Sequence, residues 1–216
     1  MQRLRITFAK TQAMQYTGHL DLHKTWERTL RRARLPLAYS EGFNPHPKIQ
    51  LGAALPLGFT SECELVDVWL ETPQDLADAR AALEKAAAPG LSLLEVREMP
   101  ARSPAVQTLV AAAEYRVIVP ASGEARTLAE RLAALLAAPD IKRTRRGKEY
   151  DLRPLIEALS VVASDEKGHA LVMRLAAREG ATGRPEEVVE ALGYPATSAI
   201  YHRQRLFLTD AQFTDK

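Results

Sequence analysis

Residues 3–34 read RLRITFAKTQAMQYTGHLDLHKTWERTLRRAR, and this stretch decides how the first half of the chain folds. Leu4, Ile6 and Phe8 alternate with polar residues. An apolar period of two is typical of a strand with one buried face, because successive side chains point to opposite faces of a sheet. The pattern predicts a half-buried strand over residues 3–10.

An amphipathic helix follows this strand. Leu22, Trp26 and Leu30 recur every four residues, which places them on one face of a helix with 3.6 residues per turn. Pro36 cannot continue a helix, because it lacks a backbone N–H and its ring clashes with the preceding turn. We therefore expect a helix over residues 18–34.

The rest of the first half alternates strands and helices. A long segment rich in Pro and Gly, residues 36–58, carries enough apolar anchors to be an ordered central loop rather than a linker. Strands are predicted over 64–71 and 91–96. Between them, Thr72 is expected to cap a helix that has Pro73 at its first position. This order is that of a ferredoxin-like split βαβ domain.

The second half repeats the same order of elements without visible sequence identity. A strand, a helix, a hairpin, a helix and a strand are predicted over residues 114–120, 123–138, 159–176, 185–193 and 200–208. Gly168 ends the hairpin loop, where we expect a left-handed residue. The predicted fold class is therefore α+β, with two tandem ferredoxin-like (βαββαβ) domains. They span residues 1–100 and 110–216, and the second contains a basic insert at 140–153.

Composition excludes several classes of protein. Hydrophobic residues make up 46% and charged residues 26%, as in a globular domain rather than a disordered or collagen-like chain. The single cysteine, Cys63, cannot form an intrachain disulfide or supply all the thiolates of an iron–sulfur cluster. The sequence also lacks the phosphate-binding P-loop, the dinucleotide-binding glycine pattern and the zinc-protease and serine-hydrolase motifs. We expect no cofactor and no metal bound by this chain alone.

The sequence carries no membrane signal. No apolar run approaches the roughly 18 residues that a membrane span needs. Met1 leads directly to Arg3 and Arg5 without the apolar core of a signal peptide. We expect a soluble, cytoplasmic protein with no membrane partner.

Basic residues cluster in three segments, although the net charge is only +2. On the first helix they lie opposite the apolar stripe, because an offset of two residues turns about 200° around the helix axis. The candidate nucleic-acid-binding residues are Lys24, Arg28, Arg31, Arg32, Lys142, Arg143, Arg145, Arg146, Arg203 and Arg205. Such clusters can neutralise backbone phosphates and release their counterions, which favours an anionic polymer as partner.

Structural explanations of these basic clusters, which need no ligand, stay open. Basic residues near the end of a helix are favoured by the helix dipole and need no ligand. On the last strand, Tyr201 and Phe207 alternate with Arg203 and Arg205, so the rings can stack on bases or pack beneath a helix. In the second case the arginines protect a sheet edge from aggregation.

Three histidines are candidates for chemistry. His19 and His23 are four residues apart and share a helix face, while Asp21 lies away from that face. With His46 from the central loop they could hold a metal ion or act as acid and base in RNA cleavage. The alternative is a pair of capping or hydrogen-bonding histidines.

The central loop contains the most unusual segment, SEGFNPHPK at residues 40–48. One glycine and two prolines restrict its shape, and rigid loops that hold polar groups commonly build sites. A structural loop whose polar groups bond to its own backbone is the alternative. The candidate partner or substrate residues are Tyr39, Ser40, Glu41, Phe43, Asn44, His46 and Lys48.

The sequence resembles a radical-SAM-associated protein family of unknown function, a domain found beside or fused to B12-binding radical-SAM proteins. The matching stretches are Gly18-His19-Leu20-Asp21, Arg31-Arg32-Ala33, residues 36–48, Leu55-Pro56-Leu57-Gly58, Asp151-Leu152-Arg153-Pro154 and Arg184-Pro185. Gly18 stands where the family usually has serine. The resemblance implies a radical-SAM partner that supplies the cluster. The order of elements is also similar in topology to that of RNA-binding RAMP-type proteins, among them the CRISPR-repeat endoribonucleases.

These observations lead to three hypotheses. The first is an RNA-binding accessory protein that works with a radical-SAM RNA-modification enzyme on tRNA or rRNA and has no activity of its own. The second is a metal-independent endoribonuclease that uses histidines of the first domain. The third is a protein-docking module for a radical-SAM partner that makes no contact with RNA.

Overall fold

Eleven strands and five α-helices make up the part of the chain that this computed structural model describes, residues 1–121, 125–166 and 168–209. The fold is of the mixed α+β class, as the sequence predicts. The chain divides into two compact units. Unit 1 contains residues 1–110 together with Thr209, and unit 2 contains residues 111–208.

Unit 1 is an antiparallel sheet whose two longer helices pack on one face. Its elements are β1 (Gln2–Lys10), α1 (His19–Arg32), β2 (Ile49–Leu51), β3 (Thr60–Leu70), α2 (Leu76–Ala86), β4 (Leu91–Met99) and α3 (Val106–Leu109). The strand order is β4-β1-β3-β2, with every neighbouring pair antiparallel. Phe8 of β1 meets the indole of Trp26 of α1 edge-on, with ring centroids 4.9 Å apart, at the centre of the core.

The second face of β1 is buried as well, contrary to the half-buried strand that the sequence predicts. Arg5 lies opposite Asp67 of β3, and Arg3 lies two residues away on the same face. Both guanidinium groups donate to the Asp67 carboxylate, Arg5 from Nε at 2.7 Å and Arg3 from Nη2 at 2.5 Å. Exposure falls to 3% for Arg3, 2% for Arg5 and zero for Asp67. A shared counterion therefore lets two charged side chains lie inside the fold.

Residues 100–109 are part of unit 1, although the sequence suggests a domain boundary near them. The Arg3 guanidinium donates to the backbone carbonyls of Ser103, at 2.5 Å, and of Pro104, at 2.7 Å. Val106 of α3 is fully buried and lies against Gly52, where an added Cβ would come within 3.2 Å of its side chain. The segment therefore packs on the sheet instead of linking two domains.

Unit 2 is built from neighbouring strands of a sheet, two α-helices and a separate two-stranded hairpin. Its elements are β5 (Val110–Pro120), α4 (Ala125–Ala137), β6 (Lys142–Arg145), β7 (Lys148–Asp151), β8 (Ile156–Asp165), β9 (Gly168–Arg178), β10 (Ala181–Thr182), α5 (Pro185–Ala191) and β11 (Ile200–Leu208). The strand order is β8-β9-β5-β11, and β10 pairs with the end of β9. The basic insert forms the β6–β7 hairpin.

Several local predictions need correction. The helix α2 begins at Leu76, not at Pro73, because the Asp75 side chain caps it by accepting from the backbone N–H groups of Ala77 and Asp78. Gly168 is required for close approach rather than for a left-handed backbone: a Cβ there would lie 2.4 Å from the carbonyl oxygen of Val119.

The boundaries of the last elements also differ in part from prediction. The strand expected from residue 114 begins at Val110, and the expected helix start at residue 123 lies outside the described residues. The same holds for residue 167 of the hairpin loop and for residues 210–216 of the second predicted domain. Among the described residues, no helix is both long and apolar enough to cross a membrane.

Candidate nucleic-acid interface

The exposed face of α1 carries the predicted basic stripe. Lys24, Arg28, Arg31 and Arg32 are all exposed, while the apolar stripe on the opposite face is buried in the core. Two carboxylates accompany these cations: Glu27 accepts from Arg31 at 2.7 Å, and Asp21 lies 3.9 Å from the Lys24 amine. Exposed ion pairs of this kind are weak, since water screens them and two long side chains must be ordered. The face therefore keeps a positive potential.

The C-terminal end of α1 adds a further exposed arginine. Arg34 follows the helix with a φ of +56°, a left-handed conformation that turns the chain toward the central loop. The carbonyl of Pro36 accepts from the N–H of Glu71, directly after β3. The basic end of α1 and the base of the central loop consequently lie at the same end of unit 1.

The central loop is an ordered projection with an exposed tip. Its base is tied to β3, because Ala38 N–H donates to the Trp69 carbonyl and Trp69 N–H donates to the Lys48 carbonyl. Ser40 and His46 close the tip: Ser40 N–H donates to the His46 carbonyl at 2.8 Å, and His46 N–H donates to Ser40 Oγ at 3.0 Å. The Ser40 hydroxyl thus has a structural role at the neck of the loop.

The tip presents an aromatic ring to solvent. Phe43 is completely exposed, and its neighbours Glu41, Asn44 and His46 are exposed too. Gly42 has a φ of +120°, a conformation that other residues rarely adopt, so the turn that lifts Phe43 depends on this glycine. Of the other predicted loop residues, Tyr39 is exposed and Lys48 is half-buried.

The three candidate histidines occupy different settings. His19 is the first residue of α1 and is half-buried, as is His23 one turn later, whereas His46 is exposed on the loop tip. In the part of the chain that the structure describes, no group of three or more His, Cys, Asp or Glu side chains is placed to hold a metal ion.

The basic residues of the β6–β7 hairpin in unit 2 have two kinds of environment: some are exposed to solvent, and others contact neighbouring side chains. Lys142, Arg146 and Lys148 are exposed. Arg145 instead donates to Glu187 of α5 at 2.9 Å and lies 4.7 Å from the centroid of the Tyr150 ring. One of the four predicted contacts in this insert, Arg145, is therefore already paired within the protein.

The Tyr150–Glu187 contact changes the titration of the tyrosine. The Tyr150 hydroxyl donates to Glu187 Oε2. Burial, followed by the hydrogen bond to the carboxylate, raises the pKa of Tyr150 to about 12. In the neighbouring residue Glu186, burial raises the pKa of the carboxyl group above its usual value. The contacts of Arg145 and Tyr150 with Glu187 hold the hairpin against α5.

The predicted aromatic and basic face of the last strand is not formed. Arg203 is 2% exposed and donates to the Tyr115 hydroxyl at 3.1 Å, so we remove it from the candidate phosphate contacts. Tyr201 is buried and donates to the Ala196 carbonyl. Arg205 is exposed, and the half-buried Phe207 lies 3.8 Å from the guanidinium of Arg174. Arg203 and Tyr201, which the alternation pattern suggested as ligand contacts, are therefore used for packing within unit 2.

The sequence reasoning did not select Arg131, an exposed arginine of α4 that lines a groove beside the hairpin. No local signal in the sequence points to it, because its neighbour Gly193 lies more than sixty residues away in the chain.

Comparison with known proteins gives a family and a fold. Residues 3–185 match the model of a family described as "Uncharacterized protein conserved in bacteria (DUF2344)". No curated protein gives a significant match to the sequence.

Among solved structures, the chain is similar to one in the "Crystal Structure of a Cbf5-Nop10-Gar1 Complex", with 10% identity and a TM-score of 0.53. That match covers 94% of this chain and 48% of the other. A match to "Structure of H/ACA RNP bound to a substrate RNA containing 2'-deoxyuridine" has 11% identity and a TM-score of 0.44, and covers 86% and 43% of the two chains. The chain thus spans about half the length of these two solved chains, and at 10% identity the likeness to the first is one of fold alone.

Proposed function

The chain belongs to this bacterial family, and we propose that it is an RNA-binding accessory protein for a radical-SAM enzyme that modifies tRNA or rRNA. The observation that carries the proposal is the exposed basic face of α1, with Lys24, Arg28, Arg31 and Arg32 accompanied by only two carboxylates on the helix. A row of cations with this spacing can follow a phosphate backbone, since each contact releases condensed counterions. The RNA assignment rests on this charge pattern and on the aromatic loop tip.

The proposal extends to the fold of each unit. We propose that both are ferredoxin-like domains in tandem, because the strands of unit 1 have the order 4-1-3-2 when counted along the chain, and the four long strands of unit 2, β5, β8, β9 and β11, have the same order. RNA-binding proteins with such sheets use basic and aromatic side chains to hold phosphates and bases. The radical-SAM partner rests on the sequence resemblance, and the single cysteine supports it because any cluster has to come from elsewhere.

Phe43 supplies the second kind of contact that the proposal needs. A fully exposed phenyl ring on a loop closed by Ser40 and His46 loses little freedom when a base stacks on it. Stacking of this kind requires an unpaired base, so the proposed target is a single-stranded loop or bulge of a folded RNA. The arginines at the end of α1 would hold the phosphates that flank it.

The first experiment tests the helix face. RNA binding is measured by fluorescence anisotropy with a labelled tRNA between 50 and 200 mM salt, for the wild type and for Lys24→Gln/Arg28→Gln. The matched control is Arg80→Gln/Lys85→Gln, which removes the same charge from the exposed face of α2. Each lost phosphate contact should lower the slope of log affinity against log salt by about 0.7–0.9. Association that does not respond to salt, or equal losses in both variants, would contradict the proposal.

The second experiment tests the loop. Phe43→Ala should weaken binding of an RNA hairpin with an unpaired loop by about tenfold, since stacking on an aromatic ring contributes about 1–3 kcal/mol per base. Phe43→Trp should preserve binding, because indole stacks at least as well. Equal affinity of the alanine and wild-type proteins would remove Phe43 from the interface.

A protein-docking role is the second candidate, and one observation favours it. Tyr16, Leu20 and Leu57 are large, apolar and exposed. Hydrogen bonds between Gln15 and Gly58 hold the chain segments of Tyr16 and Leu57 together. Exposed apolar clusters commonly mark protein interaction sites. If Tyr16→Ser/Leu57→Ser abolishes co-purification of a radical-SAM protein after nuclease treatment while the helix variant does not, docking is the main function.

A further inference from the structure

A groove in unit 2 combines an apolar floor with a positively charged rim. It is an open surface groove with a volume of about 650 Å³. Its rim carries Arg131, Asp140, Lys142 and Arg143, and its apolar lining includes Leu135 and Ile141. Three cations thus face one carboxylate, and the remaining lining is aliphatic or backbone.

The two guanidinium groups of the rim are positioned by backbone carbonyls. Arg131 donates to the Leu192 carbonyl at 3.3 Å and lies 5.9 Å from the centroid of the Tyr194 ring. Arg143 donates to the carbonyls of Lys142, at 3.1 Å, and Glu187, at 3.4 Å. Neutral carbonyls orient these side chains without cancelling their charge, so both remain available to an anion.

Two further details concern the arginines of the groove. The Nε of Arg143 is shielded from solvent and has no hydrogen-bond partner among the described residues. Leaving a buried donor without a partner is unfavourable, and a ligand oxygen removes that cost once the Arg143 side chain turns toward the groove. Gly193 leaves space for the Arg131 guanidinium, because a Cβ at this position would lie 3.2 Å from Nη1.

We propose that this groove binds one nucleotide unit, with its phosphate on Arg131, Lys142 and Arg143 and its base against the aliphatic floor. The apolar floor matches the planar, weakly polar base, and the positively charged rim matches the phosphate joined to it. Arginine binds phosphate oxygens through paired N–H groups. The nucleotide unit in the groove can be a free nucleotide or one nucleotide of a bound RNA. The inference goes beyond the proposed function, because nucleotide binding here does not require the α1 face.

The test is an NMR titration of the full-length protein that follows the backbone amides of Ile141, Leu192 and Gly193. The ligands are AMP, adenosine, and one short RNA with and without a 5′-phosphate. AMP should shift these amides and bind at least tenfold more tightly than adenosine. A response to AMP assigns the groove to free nucleotides, and a response to the phosphorylated RNA alone assigns it to an RNA end.

Substitutions in the groove test which side chains hold the phosphate. Arg131→Gln and Lys142→Gln should each weaken AMP binding about tenfold or more, because each removes a charged partner of the phosphate. Lys142→Gln leaves the carbonyl contacts of both arginines in place, so it separates binding from local folding. Arg178→Gln removes an exposed arginine of the same unit that does not line the groove, and it should have no effect.

The outcomes separate this inference from the proposed function. Amides that do not respond to any phosphorylated ligand, or equal binding of AMP and adenosine, would overturn the groove assignment. If the α1 variant still lowers RNA affinity in that case, the proposed function stands. If AMP binds the groove while tRNA shows no salt-sensitive association, the groove assignment stands and the proposed function fails.

Discussion

Asp67→Asn tests whether the buried charges of unit 1 stabilise the fold as the contacts indicate. In the wild type, Asp67 is fully buried and accepts four hydrogen bonds from two guanidinium groups, at 3.1 and 2.5 Å from Arg3 and at 2.7 and 2.9 Å from Arg5. Asparagine has nearly the same shape but no charge. The substitution therefore leaves two buried cations without a counterion.

The expected loss in the free energy of unfolding is about 3–5 kcal/mol, the usual cost of removing one partner from a buried ion pair. With a urea m-value of about 2 kcal/mol/M, the unfolding midpoint should fall by about 2 M. The two tryptophans, Trp26 and Trp69, both lie in unit 1, so their fluorescence reports the unfolding of this unit.

The control is Glu84→Gln, which breaks the exposed Arg80–Glu84 pair of α2. Arg80 Nε lies 2.8 Å from Glu84 Oε1, yet an exposed helical ion pair contributes only about 0.3–0.5 kcal/mol. A midpoint shift for Asp67→Asn as small as that of the control would refute the reasoning. It would mean that the Arg3 and Arg5 charges are compensated by something other than Asp67.

Three further predictions concern local structure. Gly168→Ala should destabilise the protein by about 1–3 kcal/mol in thermal unfolding, because its Cβ would lie 2.4 Å from the Val119 carbonyl oxygen. Gly180→Ala is the comparison variant. Its Cβ has open space around it but its φ is +73°, so its effect reports backbone strain without crowding. Asp75→Ala should cost about 1 kcal/mol, since α2 loses its cap, whereas Asp75→Ser should retain most of the stability in the same urea experiment. Tyr150 should titrate near pH 12 in absorbance at 295 nm, and Tyr150→Phe should remove that step. Folding raises this pKa above its ordinary value of 10.0. The stability that the Tyr150 hydroxyl contributes is therefore complete below pH 10 and is lost as the pH rises through about 12. An unchanged titration curve in Tyr150→Phe would contradict the assignment.

Periodic patterns located most of the regular elements. The four-residue spacing of Leu22, Trp26 and Leu30 predicted α1, and the alternation of Leu4, Ile6 and Phe8 predicted β1 with its core face. The sequence also identified the exposed cations of α1, since a helix has a fixed angle per residue and an apolar stripe determines which side faces water. The mixed α+β class followed from the order of these elements.

The same reasoning failed where distant segments meet. Nothing in the local pattern indicated that Arg3 and Arg5 are buried, because their burial depends on Asp67, more than sixty residues away. Arg203 and Tyr201 looked like an exposed binding face, yet packing against Tyr115 and the Ala196 carbonyl places them inside unit 2. A strand has two faces, and period-two alternation does not say which of them another element will cover.

The amino-acid order by itself therefore determined the elements and the charged face of α1, because both arise from geometry within a few turns or residues of the chain. The tertiary structure decided which charges remain free: it neutralised Arg3, Arg5 and Arg145 with carboxylates from other elements and oriented Arg131 and Arg143 with carbonyls. The physical reason is that the environment of a charge depends on groups brought near it by folding, and a linear sequence does not specify those distances.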